Sequence, residues 1–157
     1  MAGSIDFNSD LGEGAGTDMA LMPLITSANI ACGGHAGNEN TMRTTVELAM
    51  RNKVAIGAHP GYPDRERFGR VPMDIPAREL IESIRRQIDS LVGIASRMGA
   101  RVTHVKMHGA LYNQGERDAT IARNIVFGVQ AATGGHELVI FALDWAERRW
   151  PRSTTSR

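Results

Sequence analysis

The chain has 157 residues, of which 42% are hydrophobic, so it is long enough for one domain with a sizeable buried core. Its 18 basic and 17 acidic residues leave a formal net charge of +1, which argues against nucleic acid or an anionic membrane as a binding partner. The single cysteine excludes an internal disulfide and any paired-cysteine metal site.

Two further features of the sequence bear on where in the cell the protein is found. No apolar run approaches the length of a membrane span. The opening residues MAGSIDFNSD lack a basic region followed by an apolar core, so we predict no signal peptide. These observations predict a cytoplasmic enzyme or enzyme subunit that does not contact a membrane.

The first predicted strand, SIDFNSD, has side chains that alternate in character. One face carries Asp6, Asn8 and Asp10. The other carries Ile5 and Phe7, which we expect to pack beneath covering helices. The strand leads into DLGEGAG, a glycine-rich segment that does not match the spacing of a nucleotide-binding loop and predicts a flexible loop over the strand end.

The second and third predicted strands repeat this alternation. Residues 27–32 place Asn29 in phase with His35, which follows the strand after two glycines. Residues 54–59 end in His59, with small residues on the same face. Each strand therefore sends a polar row to one side and an apolar row to the other.

Between the strands, the apolar residues recur at helical spacing. The predicted helices cover residues 18–25, 38–52, 74–98 and about 118–132, with Asn38 as the cap of the second. The long connection from 60 to 72 is rich in turn-forming residues and charges, which is typical of an active-site lid.

The fourth predicted strand lies in RVTHVKMHGALYN, residues 101–113. Its polar row contains His104, Lys106 and His108, and Gly109 allows a sharp turn at the end. A strand covered on both faces should not carry such groups unless they meet water, a ligand, a metal or each other. An edge strand with a solvated face is the simpler alternative for this segment taken alone.

These strands predict a parallel α/β fold in which helices cover the apolar rows and the polar rows converge on a common interior. That is the geometry of a (β/α) barrel whose lumen opens at the carboxyl ends of the strands. A fifth apolar strand, residues 138–143, ends the pattern, so we expect an open sheet or an incomplete barrel over 1–143. Residues 144–157 are basic and poor in apolar groups, and they predict a disordered tail.

The histidines at the predicted strand ends, together with nearby charged groups, indicate a functional cluster. Its members are Asp6, Asp10, His35, His59, His104, Lys106 and His108. Asp10, His35 and His59 can hold a divalent metal with an open position for water. The same cluster can instead bind an anionic substrate and transfer protons without metal, and the residues leave both interpretations open.

Two interpretations apply to each of three residues: Lys106 in this cluster, and Arg70 and Cys32 outside it. Lys106 either forms a structural ion pair with Asp6 or Asp10 or neutralises an anionic substrate. Arg70 is either an exposed loop residue or a clamp on a carboxylate or phosphate. Cys32, beside a Gly-Gly turn, is better explained as a small buried residue than as a nucleophile.

Four segments together resemble the LamB/YcsF family: DFNSDLGEG (6–14), SANIACGGHAGN (27–38), AIGAHPGYPDRERFGR (55–70) and THVKMHGALYN (103–113). Four ordered motifs are far more specific than any one of them. The resemblance extends from about residue 5 to 143. The chain departs from the family pattern at Gly34, Asn38 and Met107.

The resemblance implies a barrel of the glycoside hydrolase and deacetylase type, usually with seven strands. It also implies the activity of the LamB/YcsF component of the bacterial three-subunit 5-oxoprolinase, the ATP-dependent ring opening of 5-oxo-L-proline to L-glutamate with two partner subunits. By motif position, Asp10, His35, His59 and His108 look like the catalytic or metal-site group. The residues expected to bind substrate are Asp6, Asn8, Asn29, Arg70, His104, Lys106, Tyr112 and Asn113.

Family chains usually continue beyond the fifth strand, so we expect a truncated barrel with about five strands. Such a chain can need a second copy to cover its open edge. Two alternatives to the oxoprolinase component remain: a metal-dependent deacetylase or amidohydrolase acting alone, and a truncated remnant without catalysis. The resemblance also implies ATP as co-substrate of the complex. It does not say which subunit holds ATP, since no nucleotide-binding motif occurs in this sequence.

Overall fold

The computed structural model of the chain describes residues 5–132 and 137–142. The predicted tail, 144–157, lies outside the described residues. The strands are β1 (Asn8–Leu11), β2 (Ser27–Ala31), β3 (Ala55–His59), β4 (Val102–Lys106) and β5 (Val139–Phe141). The helices are α1 (Asp18–Leu21), which continues into a 3-10 turn (Met22–Leu24), α2 (Glu39–Asn52), α3 (Ala77–Arg97), α4 (Gly109–Arg117) and α5 (Ala119–Ala132).

The five strands form one parallel sheet in the order β1-β2-β3-β4-β5. Parallel neighbours need a crossover between them, and the intervening helices supply it. The predicted α/β fold with parallel strands is confirmed. Within the described part of the chain, β1 and β5 are the two edges of the sheet and do not pair with each other.

Helix positions follow from capping and apolar periodicity. Asn38 caps α2, as predicted, because its side-chain oxygen accepts a 3.0 Å hydrogen bond from the Thr41 amide. The predicted apolar stripe of α3 faces the core, where all of its members are buried: Leu80, Ile84, Ile88, Leu91 and Ala95. In residues 5–132 and 137–142, no helix is both long and apolar enough to cross a membrane.

The beginning of the first strand departs from the prediction. β1 starts at Asn8, and the side chains of Ile5 and Phe7 are 84% and 65% exposed. The expectation that these two side chains pack beneath helices is therefore wrong. The sheet holds this segment by its backbone, because the Phe7 carbonyl accepts a 2.8 Å hydrogen bond from the Thr26 amide.

Helix α4 was not predicted, because the sequence GALYNQGER carries neither a standard capping residue nor a long apolar stripe. It begins at Gly109, whose φ of +52° favours glycine. A Cβ at this position would lie 2.7 Å from the Gly69 carbonyl oxygen. The close approach of residue 69 to residue 109 joins the long loop after β3 to the end of β4.

A glycine at the centre of β3 makes room for a histidine. A Cβ on Gly57 would lie 2.0 Å from His104 Nε2. We expect Gly57→Ala to lower the free energy of unfolding by about 3 kcal/mol, because the imidazole must leave a packed interior. In the control Gly93→Ala on α3, the new methyl group would meet only the end of the Arg97 side chain, at 3.5 Å, and stability should rise by about 0.5–1 kcal/mol. Urea unfolding measures both, and equal effects would contradict this account.

Candidate functional site

The carboxyl ends of the strands bring the polar side chains to one edge of the sheet. His59 is the last residue of β3, and Lys106 is the last residue of β4. Asp10 lies near the end of β1, while His35 and His108 follow β2 and β4 by a few residues. Ligands of parallel α/β proteins bind at this edge. The structure therefore brings together the residues predicted as the catalytic group.

Asp10 is held as a carboxylate among donors. Its Oδ1 accepts hydrogen bonds of 2.8 Å from Lys106 Nζ and 2.8 Å from Asn29 Nδ2. Its Oδ2 lies 3.4 Å from His59 Nε2. Burial alone would raise the pKa of Asp10, but hydrogen bonds and charge from His59 and Lys106 outweigh it and hold that pKa well below its usual range. Asp10 is therefore ionised, and the ion-pair interpretation of Lys106 describes its contact in this structure.

Glu13 joins three histidines in a second group beside Asp10. Its Oε1 lies 2.9 Å from His35 Nε2, 3.3 Å from His108 Nδ1 and 3.7 Å from His59 Nε2. The four potential ligand atoms all lie within 4.8 Å of one another. A carboxylate and imidazoles at such distances are compatible with a divalent metal.

The predicted metal group was Asp10, His35 and His59. The structure gathers His35 and His59 with His108 and Glu13, and a metal contact of Asp10 stays a prediction. Sequence reasoning missed Glu13. The available signal was an acidic residue just past a strand end, in a segment of alternate glycines. Burial would raise the pKa of Glu13, but the hydrogen bond from His35 and the nearby imidazoles lower it overall, so this side chain is also a carboxylate.

Backbone carbonyls orient two of the imidazoles. His59 Nδ1 lies 2.7 Å from the carbonyl oxygen of Lys106, and His108 Nε2 lies 2.9 Å from that of Phe68. A carbonyl oxygen only accepts hydrogen bonds, so these two ring nitrogens carry hydrogen. Burial lowers the pKa of His108 to about 4, which favours its neutral form.

Phe68 closes the cluster from the long loop. Its φ of +55° is uncommon outside glycine and directs its carbonyl to His108. Its ring packs edge-on against His35 and His108, with centroid distances of 5.3 and 5.2 Å. The exposed Arg70 places its guanidinium 5.1 Å from the Phe68 ring centre. Arg70 thus lies at the site, and its role as an anion clamp stays a prediction.

The loop carrying Phe68 is fixed from two sides. Gln87 on α3 contacts both backbone polar groups of Gly61: its Oε1 accepts from the amide at 3.1 Å and its Nε2 donates to the carbonyl at 2.9 Å. Arg65 donates to the carbonyls of Gly33 and Gly37, on either side of His35. Neither Gln87 nor Arg65 was singled out from the sequence, since both roles depend on backbone conformation.

A layer of polar side chains lies deeper in the sheet. His104 Nε2 is 3.0 Å from Asn29 Oδ1, and Asn29 Nδ2 donates to Asn8 Oδ1 at 2.9 Å as well as to Asp10. Since both hydrogens of the Asn29 amide are used, its oxygen must accept, and His104 carries hydrogen on Nε2. His104 therefore donates to the buried Asn29, which in turn donates to Asp10. Direct contact of these two residues with substrate stays a prediction.

The predicted binding residues not yet described are Asp6, which precedes β1, and Tyr112 and Asn113 on α4. Asp6 accepts hydrogen bonds of 2.7 Å from Thr26 and 2.7 Å from Ser27. On α4, Tyr112 is half-buried against the core and Asn113 is exposed. Their contact with substrate also stays a prediction.

Cys32 is buried, as predicted, and its thiol donates to the Ile30 carbonyl at 3.0 Å. Burial raises the pKa of this thiol to about 12, which removes the thiolate that nucleophilic chemistry needs.

The burial of His104 makes stability depend on pH. Burial lowers the pKa of His104 from an ordinary 6.5 to about 4, so between these values the unfolded chain binds a proton that the folded chain does not. The stabilisation is complete above pH 6.5 and is lost as the pH falls towards 4, by about 3 kcal/mol for this residue. We expect His104→Gln to flatten the dependence of urea unfolding on pH. An unchanged slope between pH 7 and about 4.5 would contradict this.

The fold and site together define an α/β protein whose parallel strands present carboxylates, a lysine and imidazoles at one edge. The chain belongs to the LamB/YcsF family, whose model matches residues 5–149. It is also similar to the crystal structure of a lactam utilization protein from Thermus thermophilus, with 38% sequence identity and a TM-score of 0.86. That similarity covers 90% of this chain and 59% of the Thermus chain, so this chain spans less than two thirds of the length of that protein. The predicted family is confirmed.

Proposed function

We propose that the chain is the LamB/YcsF component of an ATP-dependent, three-subunit 5-oxoprolinase, which opens the ring of 5-oxo-L-proline to give L-glutamate together with two partner subunits. Membership of the LamB/YcsF family and similarity to a lactam utilization protein support a cyclic amide as the substrate. The observation that carries the proposal is the convergence of Asp10, Lys106 and three imidazoles at one strand edge. We expect this reaction to take place in the cytoplasm.

The chemistry of a lactam explains the residue types. An unactivated amide is a poor electrophile, and transfer of a phosphoryl group from ATP to its oxygen makes the ring carbon easier for water to attack. Neutral imidazoles or a carboxylate can accept the proton of that water. Lys106, with a side chain 25% exposed, is the cation of this cluster that can pair with a substrate carboxylate or phosphoryl group. ATP is a co-substrate of the complex in this proposal.

The group of Glu13 and three histidines favours a second candidate function, a metal-dependent deacetylase or amidohydrolase acting alone. A divalent metal held by these residues would polarise a carbonyl and activate water. This chemistry needs neither ATP nor partner subunits, which separates it from the first candidate.

Reconstitution distinguishes these functions. The whole chain is mixed with two partner subunits of an oxoprolinase, and release of ADP and glutamate is followed with and without 5-oxo-L-proline, beside a longer family member in place of this chain. We expect both products only when all three proteins are present. Lactam or acyl-amide hydrolysis by the chain alone with added zinc would favour the second candidate. If only the longer family member supports turnover, the chain is a non-catalytic remnant and the proposal fails.

A further inference from the structure

Two imidazole nitrogens face each other inside the histidine cluster. Because carbonyl oxygens accept from His59 Nδ1 and from His108 Nε2, the other nitrogen of each ring is the one that can ligate an ion. Those two nitrogens, His59 Nε2 and His108 Nδ1, are 3.0 Å apart. A metal ion bound between these nitrogens would take the place of any proton that either of them carries.

A carboxylate oxygen lies beside these two nitrogens. Glu13 Oε1 lies 3.3 Å from His108 Nδ1 and 3.7 Å from His59 Nε2. Donor atoms bound to one ion at about 2.1 Å lie at comparable separations from one another. Two imidazole nitrogens and a carboxylate oxygen at such distances, with the outer N–H groups of both rings held by carbonyl groups, are the usual surroundings of a metal ligated by histidine.

His35 differs from the other two histidines. Its Nε2 lies 2.9 Å from Glu13 Oε1, while its Nδ1 is buried and has no hydrogen-bond partner within the described part of the chain. If Nε2 were a metal ligand, the ring hydrogen would sit on Nδ1 without an acceptor, which is costly in a buried position. The ring is accommodated better when Nε2 carries the hydrogen and donates it to Glu13. Its ring also stacks on His108, with centroids 3.6 Å apart and planes 4° from parallel.

We propose that this cluster is a divalent metal site with three protein ligands, Glu13, His59 through Nε2 and His108 through Nδ1, and that His35 is a positioning residue which holds the Glu13 carboxylate. Imidazole with carboxylate suits zinc or cobalt. Metal binding is measurable without turnover, so the test of this site is independent of lactam hydrolysis.

Metal titration of ligand and non-ligand variants tests the assignment. The whole chain is freed of metal with a chelator and titrated with Co²⁺, followed by calorimetry and by visible absorption of the bound ion. We expect one Co²⁺ per chain, and an affinity at least about 100-fold weaker in Glu13→Gln, His59→Gln and His108→Gln. His35→Gln keeps an N–H donor for Glu13 and should stay within about 10-fold of the unmodified chain. The control Asp74→Asn changes an exposed carboxylate outside the cluster and should bind as the unmodified chain does.

Two results would overturn the assignment. One is the absence of stoichiometric Co²⁺ binding by the unmodified chain. The other is a loss in His35→Gln as large as that in His108→Gln. If circular dichroism shows that a ligand variant does not fold, the ligands are identified by nuclear magnetic resonance of the unmodified chain labelled with ¹⁵N-histidine. Zinc must shift the Nε2 resonance of His59 and the Nδ1 resonance of His108, and a shift confined to His35 would contradict the proposal.

Discussion

Replacing Asp10 by asparagine is expected to reduce 5-oxoproline turnover in the reconstituted enzyme by about 10³-fold. The carboxylate accepts hydrogen bonds from Lys106 and Asn29 and lies 3.4 Å from His59 Nε2. Asparagine keeps the shape but removes the negative charge that pairs with Lys106. Because the pKa of Asp10 is held well below its usual range, its ionisation should not limit activity at mildly acidic pH.

The control for this variant is Asp74→Asn, which changes an exposed aspartate in the segment before α3. It should leave turnover unchanged. Initial rates of ADP and glutamate release measure both variants in the presence of the partner subunits. Full turnover by Asp10→Asn would exclude this carboxylate from the reaction and would leave Glu13 as the carboxylate of the site.

Replacing Lys106 by methionine is expected to lower kcat/KM for 5-oxoproline by about 10²-fold, mainly through a higher KM. The ammonium group lies 2.8 Å from Asp10 Oδ1 and is partly exposed, so an anionic group of a substrate can reach it. Methionine keeps most of the side-chain volume and removes the charge. Lys106→Arg keeps the charge and should recover part of the loss.

The two interpretations of Lys106 predict different measurements. A purely structural ion pair with Asp10 would lower the melting temperature of Lys106→Met and leave the KM of the remaining active protein unchanged. A role in substrate binding raises KM even where the melting temperature is close to that of the unmodified chain. Steady-state kinetics and thermal unfolding on the same preparations separate these outcomes.

The convergence of His35, His59 and His108 with Asp10 could be predicted because it follows from strand alternation. In a parallel sheet, residues in phase on neighbouring strands end at the same edge. The strand register agrees with this for His59: Asp10 pairs with Asn29, and Asn29 pairs with Gly57, two residues before His59. The periodicity of α3 was equally visible, because a long amphipathic helix repeats its pattern over several turns.

Glu13 could not be placed from the sequence because its position depends on loop dihedrals. The flanking Gly12 and Gly14 have φ values of +73° and +86°, and these turns direct the carboxylate back over the strand ends. The predicted metal group therefore named Asp10, whose place on the polar face of the first strand follows from alternation. The tautomers of His59 and His108 were also out of reach, since they depend on carbonyl groups distant in sequence.

The prediction that Ile5 and Phe7 are buried is wrong for a different reason. Alternation predicts which side chains share a face, but it does not predict whether another element covers that face. Here β1 is an edge strand of the described sheet, and both side chains are largely exposed.

Nuclear magnetic resonance of the histidine side chains tests the central claim most directly, because the chain contains only five histidines. The chain labelled with ¹⁵N-histidine is combined with unlabelled partner subunits and titrated with 5-oxo-L-proline, with L-proline as the control that lacks the lactam carbonyl. We predict saturable shifts of the His59 and His108 ring nitrogens with the lactam alone. Binding of the lactam with no change in these resonances would contradict a reaction centre at this edge of the sheet.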